Sequence, residues 1–209
     1  MTMAMAQRIE PLLHPVELRR LRPTQMTVGF IEVERKQHAW RQQVADTGGE
    51  YLGRHMIPVV IGPKQMPWLI DHHHLALALL REGVEHVLVS VVARLDHLPR
   101  DRFLTFLDNR NWLHPYDADG ERRPLKDLPK RLDDLADDPY RSLAGEVRRA
   151  GGYAKSPTPY AEFLWADFLR SRVSAKQIAR HYPRALAKAL DAVRSHEAAY
   201  LPGFAGAEE

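Results

Sequence analysis

The hydrophobic positions in the first half of the chain form two kinds of pattern that alternate along the sequence: continuous apolar runs and apolar residues at helical spacing. Continuous apolar runs at 57–61 and 67–70, separated by a Gly-Pro turn, predict two buried strands joined as a hairpin, and a valine-rich run at 86–95 predicts a third strand. Apolar residues at helical spacing over 28–44 predict a helix, and the Ala-Leu repeat over 75–80 predicts another. The first half is therefore expected to mix strands and helices.

Glycine and proline residues mark the boundaries of these elements. An extended stretch at 14–21 precedes an Arg-Pro pair, and Gly48-Gly49 breaks the chain after the first helix. Gly83 suits the C-terminal end of the Ala-Leu helix. A further helix is predicted over 99–109.

The second half shows only helical spacing, and no strand-like run follows residue 95. The predicted helices span 125–135, 140–149, 160–171, 175–181 and 185–197. The predicted fold class is α+β, with a small mixed α/β domain over 1–115 and an all-helical C-terminal region over 116–209 that packs on it.

The composition excludes several classes of protein. The 209 residues include no cysteine, which excludes disulfides, thiolate metal sites and cysteine nucleophiles. No run approaches the ~20 apolar residues of a membrane span, and residues 1–6 lack the pattern of a secretory signal, so a cytoplasmic protein without membrane partners is expected. The net charge of +3 and the pI of 9.2 leave nucleic acid as a partner, but the basic residues are mixed with acids rather than grouped in a block.

The turn Asp71-His72-His73-His74 is the main candidate for a functional site. It places four polar side chains in a row between an apolar strand and an apolar helix. The first N–H groups of a helix lack partners, and together with the helix dipole they attract phosphate or carboxylate. Aspartate is also a preferred N-cap residue, so Asp71 is predicted to cap the helix. The alternative is that Asp71 is only a cap and that the histidines are solvated.

A metal is a separate question at this turn. Adjacent histidines in a helix point about 100° apart, and the sequence lacks both a His-Glu-x-x-His pattern and the spacing of four zinc ligands. Asp71 with one histidine can hold Mg²⁺ or Mn²⁺ together with a phosphate-bearing ligand. The cofactor expected from these residues is therefore Mg²⁺ or Mn²⁺ beside a phosphate-bearing ligand.

Two features of the helical half have competing interpretations. Lys155 lies in a Gly- and Pro-rich loop of a kind that often covers ligands, so it is a candidate to contact a bound anion. An apolar face at helical spacing is interpreted as core, and it consists of Tyr160, Phe163, Leu164, Trp165 and Phe168. Residues 174–194 have the layout of a helix-turn-helix, but their second helix is mostly Ala and Leu, which favours ordinary packing.

Several separate motifs follow one another between about residues 13 and 203. They are Leu21-Arg22-Pro23-Thr24-Gln25 with Gly29, Ile70-Asp71-His72-His73-His74, Asp138-Pro139-Tyr140-Arg141, Gly151-Gly152-Tyr153-Ala154-Lys155 and Glu162-Phe163-Leu164-Trp165-Ala166-Asp167-Phe168. In this order they resemble the ParB/sulfiredoxin superfamily and, more narrowly, bacterial proteins named ParB-like nucleases. The resemblance implies a small ParB/sulfiredoxin-like α/β core followed by helices.

The resemblance also implies a nucleotide or phosphate site at the Asp-His-His-His turn. Sulfiredoxin and the free-serine kinases of the superfamily place nucleotide phosphates there, and ParB uses an equivalent turn for CTP. By position, Asp71 would hold a metal or the substrate, and His73 and His74 would face the phosphate. His72 stands where the kinases often have glycine and is a ligand-binding candidate, as is Thr24.

Two positions depart from the superfamily pattern. Leu75 stands where the kinases and ParB carry a phosphate-binding arginine. Gln25 stands nearest the catalytic acid of the kinases and cannot act as a base, so it is a ligand-binding candidate. Glu32 or Glu34, in the following helix, is then the candidate base. The absence of cysteine excludes the sulfiredoxin reaction.

Three hypotheses about function follow. The first is a protein that binds a small phosphate-bearing ligand, a nucleotide above all, and acts as a phosphotransferase or nucleotide hydrolase. The second is a ParB-like nuclease or DNA-binding protein. The third is a non-catalytic module that binds a partner, which the loss of the motif arginine and of the early acid favours.

Overall fold

The structure is a computed structural model, and it describes residues 10–47 and 55–206, with only the backbone described at 10–14 and 44–47. The predicted break at Gly48-Gly49 and the N-terminal residues 1–6 lie outside the described residues. The strands are β1 (Glu10–Glu17), β2 (Arg22–Pro23), β3 (Thr27–Val28), β4 (Ile57–Gly62), β5 (Met66–Leu69), β6 (His86–Arg94) and β7 (Ala136–Asp137). The helices are α1 (Phe30–Thr47), α2 (His73–Arg81), α3 (Arg100–Asn109), α4 (Pro139–Arg149), α5 (Ala161–Arg170), α6 (Ala175–Arg180) and α7 (Tyr182–Val193).

A mixed sheet forms the centre of the first half, and its strand order among the described residues is β1-β6-β4-β5-β2. Strands β4 and β5 are antiparallel neighbours, which confirms the predicted hairpin. Strand β6 runs parallel to β4, and β2 runs parallel to β5. The extended stretch predicted at 14–21 is instead strand β1 over Glu10–Glu17, and it ends at Glu17 because the chain then forms a short 3₁₀ turn.

Helices cover both faces of this sheet, because successive side chains of a strand point to opposite faces and those of β4 are apolar on both. Val59 contributes to the core under α1 and α2, whereas the next residue, Val60, packs with Phe103 of α3 on the other face. Helix α2 is buried almost all round, because residues 75–79 are each at most 3% exposed. This burial explains why its sequence is a nearly unbroken run of Ala and Leu.

The helical half has its own core, in which Trp165 is fully buried and stacks on Tyr153 with ring centroids 4.3 Å apart. The apolar face predicted on α5 is confirmed for Phe163 and Phe168, but Leu164 is 42% exposed. Successive residues of a helix point about 100° apart, so Leu164, between the buried Phe163 and Trp165, points to the outer side of the helix.

Two predictions for the second half are wrong. The segment 125–135 is not a helix but contains two 3₁₀ turns, Leu125–Asp127 and Leu132–Asp134. The cause is Pro129, since the residue before a proline is driven out of the helical region, and Leu128 has φ −51° and ψ 136°. A strand also follows residue 95, because β7 pairs with β3 over two residues.

The two halves are joined by direct contacts. Strand β3 of the first half pairs with β7 of the second, and α1 packs on α4. Leu132 and Leu135 of the second half belong to the core beneath the sheet. In the described ranges, no helix combines the length and apolar character needed to cross a membrane.

Candidate functional site: a cleft at the start of helix α2

Two chain segments meet at one edge of the sheet, and this meeting builds the site. Strands β2 and β5 are parallel, so their C-terminal ends lie at the same edge. Thr24 and Gln25 follow β2, and Asp71 and His72 follow β5 just before α2 begins. The polar residues of both motifs are therefore brought together by strand pairing.

The start of α2 differs from the sequence prediction. The N-cap residue is His72, which has the left-handed backbone conformation φ 66° and ψ 25°, and no side chain caps the helix. Asp71 is one residue too early to cap it, and its Oδ1 instead accepts a hydrogen bond of 2.6 Å from the N–H of His72. The predicted cap is therefore wrong, and the first turn of α2 opens on a small cavity.

His73 is 1% exposed and holds the β2–β3 loop in place. Its Nε2 accepts a hydrogen bond of 3.1 Å from the backbone N–H of Thr24, whose hydroxyl donates to the carbonyl of Leu69 at 2.7 Å. Burial lowers the pKa of His73 to about 3, with smaller contributions from His72 and His114. The imidazole is therefore neutral, with its proton on Nδ1.

His74 plays a similar part at the start of α1. Its Nε2 accepts a hydrogen bond of 3.0 Å from the N–H of Gly29. Burial, followed by the nearby charge of Arg141, lowers the pKa of His74 well below its usual value. Gly29 also allows α4 to approach closely, since a Cβ there would lie 2.5 Å from Oγ of Ser142. The direct contribution of His73 and His74 to ligand binding stays a prediction.

A cleft with two adjacent compartments opens between the two halves of the chain. The smaller compartment, of about 190 Å³, lies over the first turn of α2, and the larger one, of about 500 Å³, extends towards α5. Both are lined by Gln25, Asp71, Arg141 and Phe163. The two compartments are therefore adjacent, and these four residues mark the junction between them.

The helical half supplies most of the positive charge. Arg141 and Arg148, both on α4, form ion pairs with Glu162, the latter through Nε at 2.8 Å. Arg141 is 9% exposed and lies over the ring of Phe163 at 5.4 Å. Lys155, predicted from its loop, lines the larger compartment, and Lys36 lines the smaller one.

Arg141 and Arg148 were not among the residues predicted for the site. The sequence marks the start of α4 through Asp138. In the structure Asp138 caps this helix by accepting hydrogen bonds from the N–H groups of Tyr140 and Arg141 at 2.9 and 3.2 Å. The sequence at this position indicates a helix start, but it does not indicate which cavity the helix faces. Leu75, at the motif position that resembles a phosphate-binding arginine, is 3% exposed.

An aromatic cluster lies beside Arg141 and reaches the larger compartment through Tyr160 and Phe163. The ring of His114 lies 4.0 Å from that of Phe163, 4.7 Å from that of Tyr160 and 4.6 Å from that of Tyr116, measured between centroids. Burial, followed by the charge of Arg141, lowers the pKa of His114 to about 4. A neutral imidazole can therefore stack in this cluster at neutral pH.

The two predicted acids of α1 lie in different environments. Glu32 lines the smaller compartment but forms ion pairs with Arg35 at 2.7 Å and with Arg149. Burial opposes its ionisation, but the hydrogen bonds and charges of these arginines outweigh burial and lower its pKa. Glu34 is exposed and is not among the described residues that line either compartment.

Metal ligands are sparse around the cleft. Among residues 10–47 and 55–206, no group of three or more His, Cys, Asp or Glu side chains is arranged to hold a metal ion. Asp71, with a side chain 74% exposed at the junction, can supply one carboxylate to an ion that a phosphate also coordinates.

Together the fold and the cleft define an α+β protein with a ligand-sized site at the start of a helix that follows a mixed sheet. A family profile described as putative ParB-like nuclease matches residues 14–171. The chain therefore belongs to this ParB-like family, and the ParB/sulfiredoxin resemblance is confirmed.

A solved structure is also similar over nearly the whole chain. It is the crystal structure of protein Atu1540 from Agrobacterium tumefaciens, with 50% sequence identity, coverage of 95% of this chain and 100% of that chain, and a TM-score of 0.88. A comparison with curated proteins found no match.

Proposed function

We propose that this protein binds a phosphate-bearing ligand of nucleotide size in the cleft. The phosphate groups would occupy the smaller compartment, at the start of α2, and the rest of the ligand would extend along the larger one. The observation that carries the proposal is that Arg141 lines the same compartment as the uncapped first turn of α2.

The charges of the smaller compartment favour an anion. An uncapped helix start presents unpaired N–H groups and a partial positive charge. The guanidinium of Arg141 pairs with Glu162 through Nη2, but its Nε has no hydrogen-bond partner among the described residues and can donate to a phosphate, and Lys36 adds a second cation. Glu32 does not cancel this charge, because it lies among three cations and pairs with Arg35, with Arg149 and, at 3.9 Å, with Lys36.

The dimensions and lining of the cleft suit a nucleotide. Ligand sites commonly measure about 300 to 1,000 Å³, and the larger compartment, of about 500 Å³, falls in this range. Its wall combines aromatic rings, Trp112 and Tyr160 among them, with the cations Arg148 and Lys155. Rings of this kind stack on nucleobases, and cations bind further phosphates. Such a ligand also suits the cytoplasmic location expected from the composition.

Turnover of the ligand requires more than these cations. Asp71 is the exposed carboxylate at the junction, so it would hold Mg²⁺ with the phosphates or orient a water molecule. Phosphoryl transfer depends mainly on positioning and on neutralising charge, which a magnesium ion and Arg141 would supply. The reaction expected is therefore phosphotransfer or nucleotide hydrolysis, and binding without turnover would instead support a non-catalytic module.

Calorimetric titration of pyrophosphate, ADP, ATP, CTP and GTP at low salt, with and without Mg²⁺, tests the proposal. Replacing Arg141 by glutamine should weaken binding about tenfold or more, because a hydrogen bond to a charged group contributes about 1.5–3 kcal/mol. Arg172→Gln is the matched control, since Arg172 also pairs with a glutamate and lies over a phenylalanine ring. Failure of every ligand to bind, or equal binding by the Arg141 variant, would refute the proposal.

The family description supports a second candidate, a nuclease. Single-stranded nucleic acid binds to surfaces that combine cations and aromatic rings, as the larger compartment does. Gel shifts and cleavage assays with short single- and double-stranded DNA and RNA distinguish the candidates. Arg141-dependent cleavage of an oligonucleotide would establish the nuclease, whereas nucleotide binding without oligonucleotide binding would exclude it.

A further inference from the structure

Gln25 occupies the junction between the two compartments, and the proposed function has not used it. Its side chain lines both of them, so a ligand that extends from one to the other must pass beside it. It is 8% exposed, and its Oε1 is buried with no hydrogen-bond partner among the described residues. Buried polar atoms are nearly always hydrogen-bonded, so this oxygen points to a partner that the protein itself does not provide.

The backbone around Gln25 is fixed. Gln25 forms a parallel bridge with His114, whose N–H donates to the carbonyl of Thr24 at 2.8 Å. The N–H of Thr24 donates in turn to the buried ring of His73. The backbone of Gln25 is therefore held at the junction by the core, and rotation about the last bond of the side chain can turn either the oxygen acceptor or the nitrogen donors towards a ligand.

We infer that Gln25 makes the site selective for ribonucleotides over deoxyribonucleotides, by forming hydrogen bonds with the sugar hydroxyls. The inference rests on the proposed function and follows from the order of groups along a nucleotide. With phosphates over the first turn of α2 and the base against the aromatic wall, the sugar lies at the junction.

The chemistry of the carboxamide suits this role. An uncharged amide adds nothing to the attraction of phosphate, which Arg141 and the helix start provide. It can therefore distinguish between ribose and deoxyribose without setting the affinity for the phosphate. A hydroxyl both donates and accepts, and so does an amide. A site that is built to bond a hydroxyl discriminates against an analogue without it, because the buried amide is then left unpaired.

Competition titrations of ADP, GDP, CDP and UDP against their 2′-deoxy and 3′-deoxy forms, with pyrophosphate as the probe of the anion site, test the inference. The unaltered protein should bind the preferred ribonucleotide at least about fivefold more tightly than a deoxy form. In Gln25→Leu this ratio should fall to about one, while pyrophosphate binding changes less than about twofold. Gln42→Leu, the same change at an exposed position of α1 that is not among the described residues lining either compartment, should keep the ratio.

Each other outcome overturns the inference in a distinguishable way. Equal binding of ribonucleotides and deoxyribonucleotides by the unaltered protein refutes it even if Gln25→Leu does not fold. A preference that persists in Gln25→Leu assigns selection to another residue. Binding of pyrophosphate but of no nucleotide refutes the inference and leaves the anion site intact, whereas no binding of either refutes the proposed function as well.

Discussion

Replacing His73 by glutamine should make the stability of the protein less sensitive to acid. His73 is fully enclosed and neutral, and burial lowers its pKa from 6.5 to about 3 in the folded protein. Between these values the unfolded chain binds a proton that the folded chain does not. Folding stability from this group is therefore fully present above about pH 6.5 and is lost progressively as the pH falls towards 3.

The size of this loss of stability follows from the difference between the pKa values of His73 in the unfolded and folded protein. One pKa unit corresponds to about 1.4 kcal/mol, so lowering the pH to about 5 should cost roughly 2 kcal/mol through His73 alone. Glutamine can place its Oε1 near the position of Nε2 and keep the hydrogen bond from Thr24 without titrating. The variant should be less stable than the unaltered protein near pH 7.5, and the gap should shrink by roughly 2 kcal/mol near pH 5.

Urea unfolding at several pH values between about 7.5 and 5 measures this difference directly. His74 and His114, whose pKa values are also lowered, titrate in both proteins, so the difference between the two curves isolates His73. His38→Gln, at an exposed position of α1, is the control and should follow the unaltered protein. Parallel curves for the His73 variant and the unaltered protein would show that the ring is not held neutral by burial.

Further substitutions test other parts of the structure. Gly29→Ala should lower the free energy of unfolding by about 1–3 kcal/mol in urea titrations, because its Cβ would overlap Ser142; Gly83→Ala, with nothing within 4 Å of its Cβ, tests the cost of a positive φ alone. Asp138→Ala should cost about 2–3 kcal/mol, since it removes a helix cap and one of the two carboxylates that pair with the partly buried Arg170, leaving Asp167 as the other. Asp71→Asn should change stability by less than about 0.5 kcal/mol but abolish the Mg²⁺-dependent part of nucleotide affinity in calorimetry.

The sequence by itself determined the elements whose signals are local. β-Branched runs gave the strands β4 and β6, and the Ala-Leu repeat gave α2, because burial on both faces of a sheet or all round a helix leaves only apolar residues. The polar turn at 71–74 was recognised for the same reason, as a dense polar group between two apolar elements. Local chemistry could not place the cap, since the left-handed conformation of His72 moved the helix start by one residue.

Only the tertiary structure decided which residues share the cleft. Arg141 lies 66 positions beyond the motif residue Leu75, yet it lines the cavity at the start of α2, because α4 packs on α1 and carries it there. Glu32 and Glu34 are nearly adjacent in the sequence, but helical geometry buries one among arginines and leaves the other in solvent. Contacts between distant segments depend on the packing of whole elements, and no local pattern of residues encodes that packing.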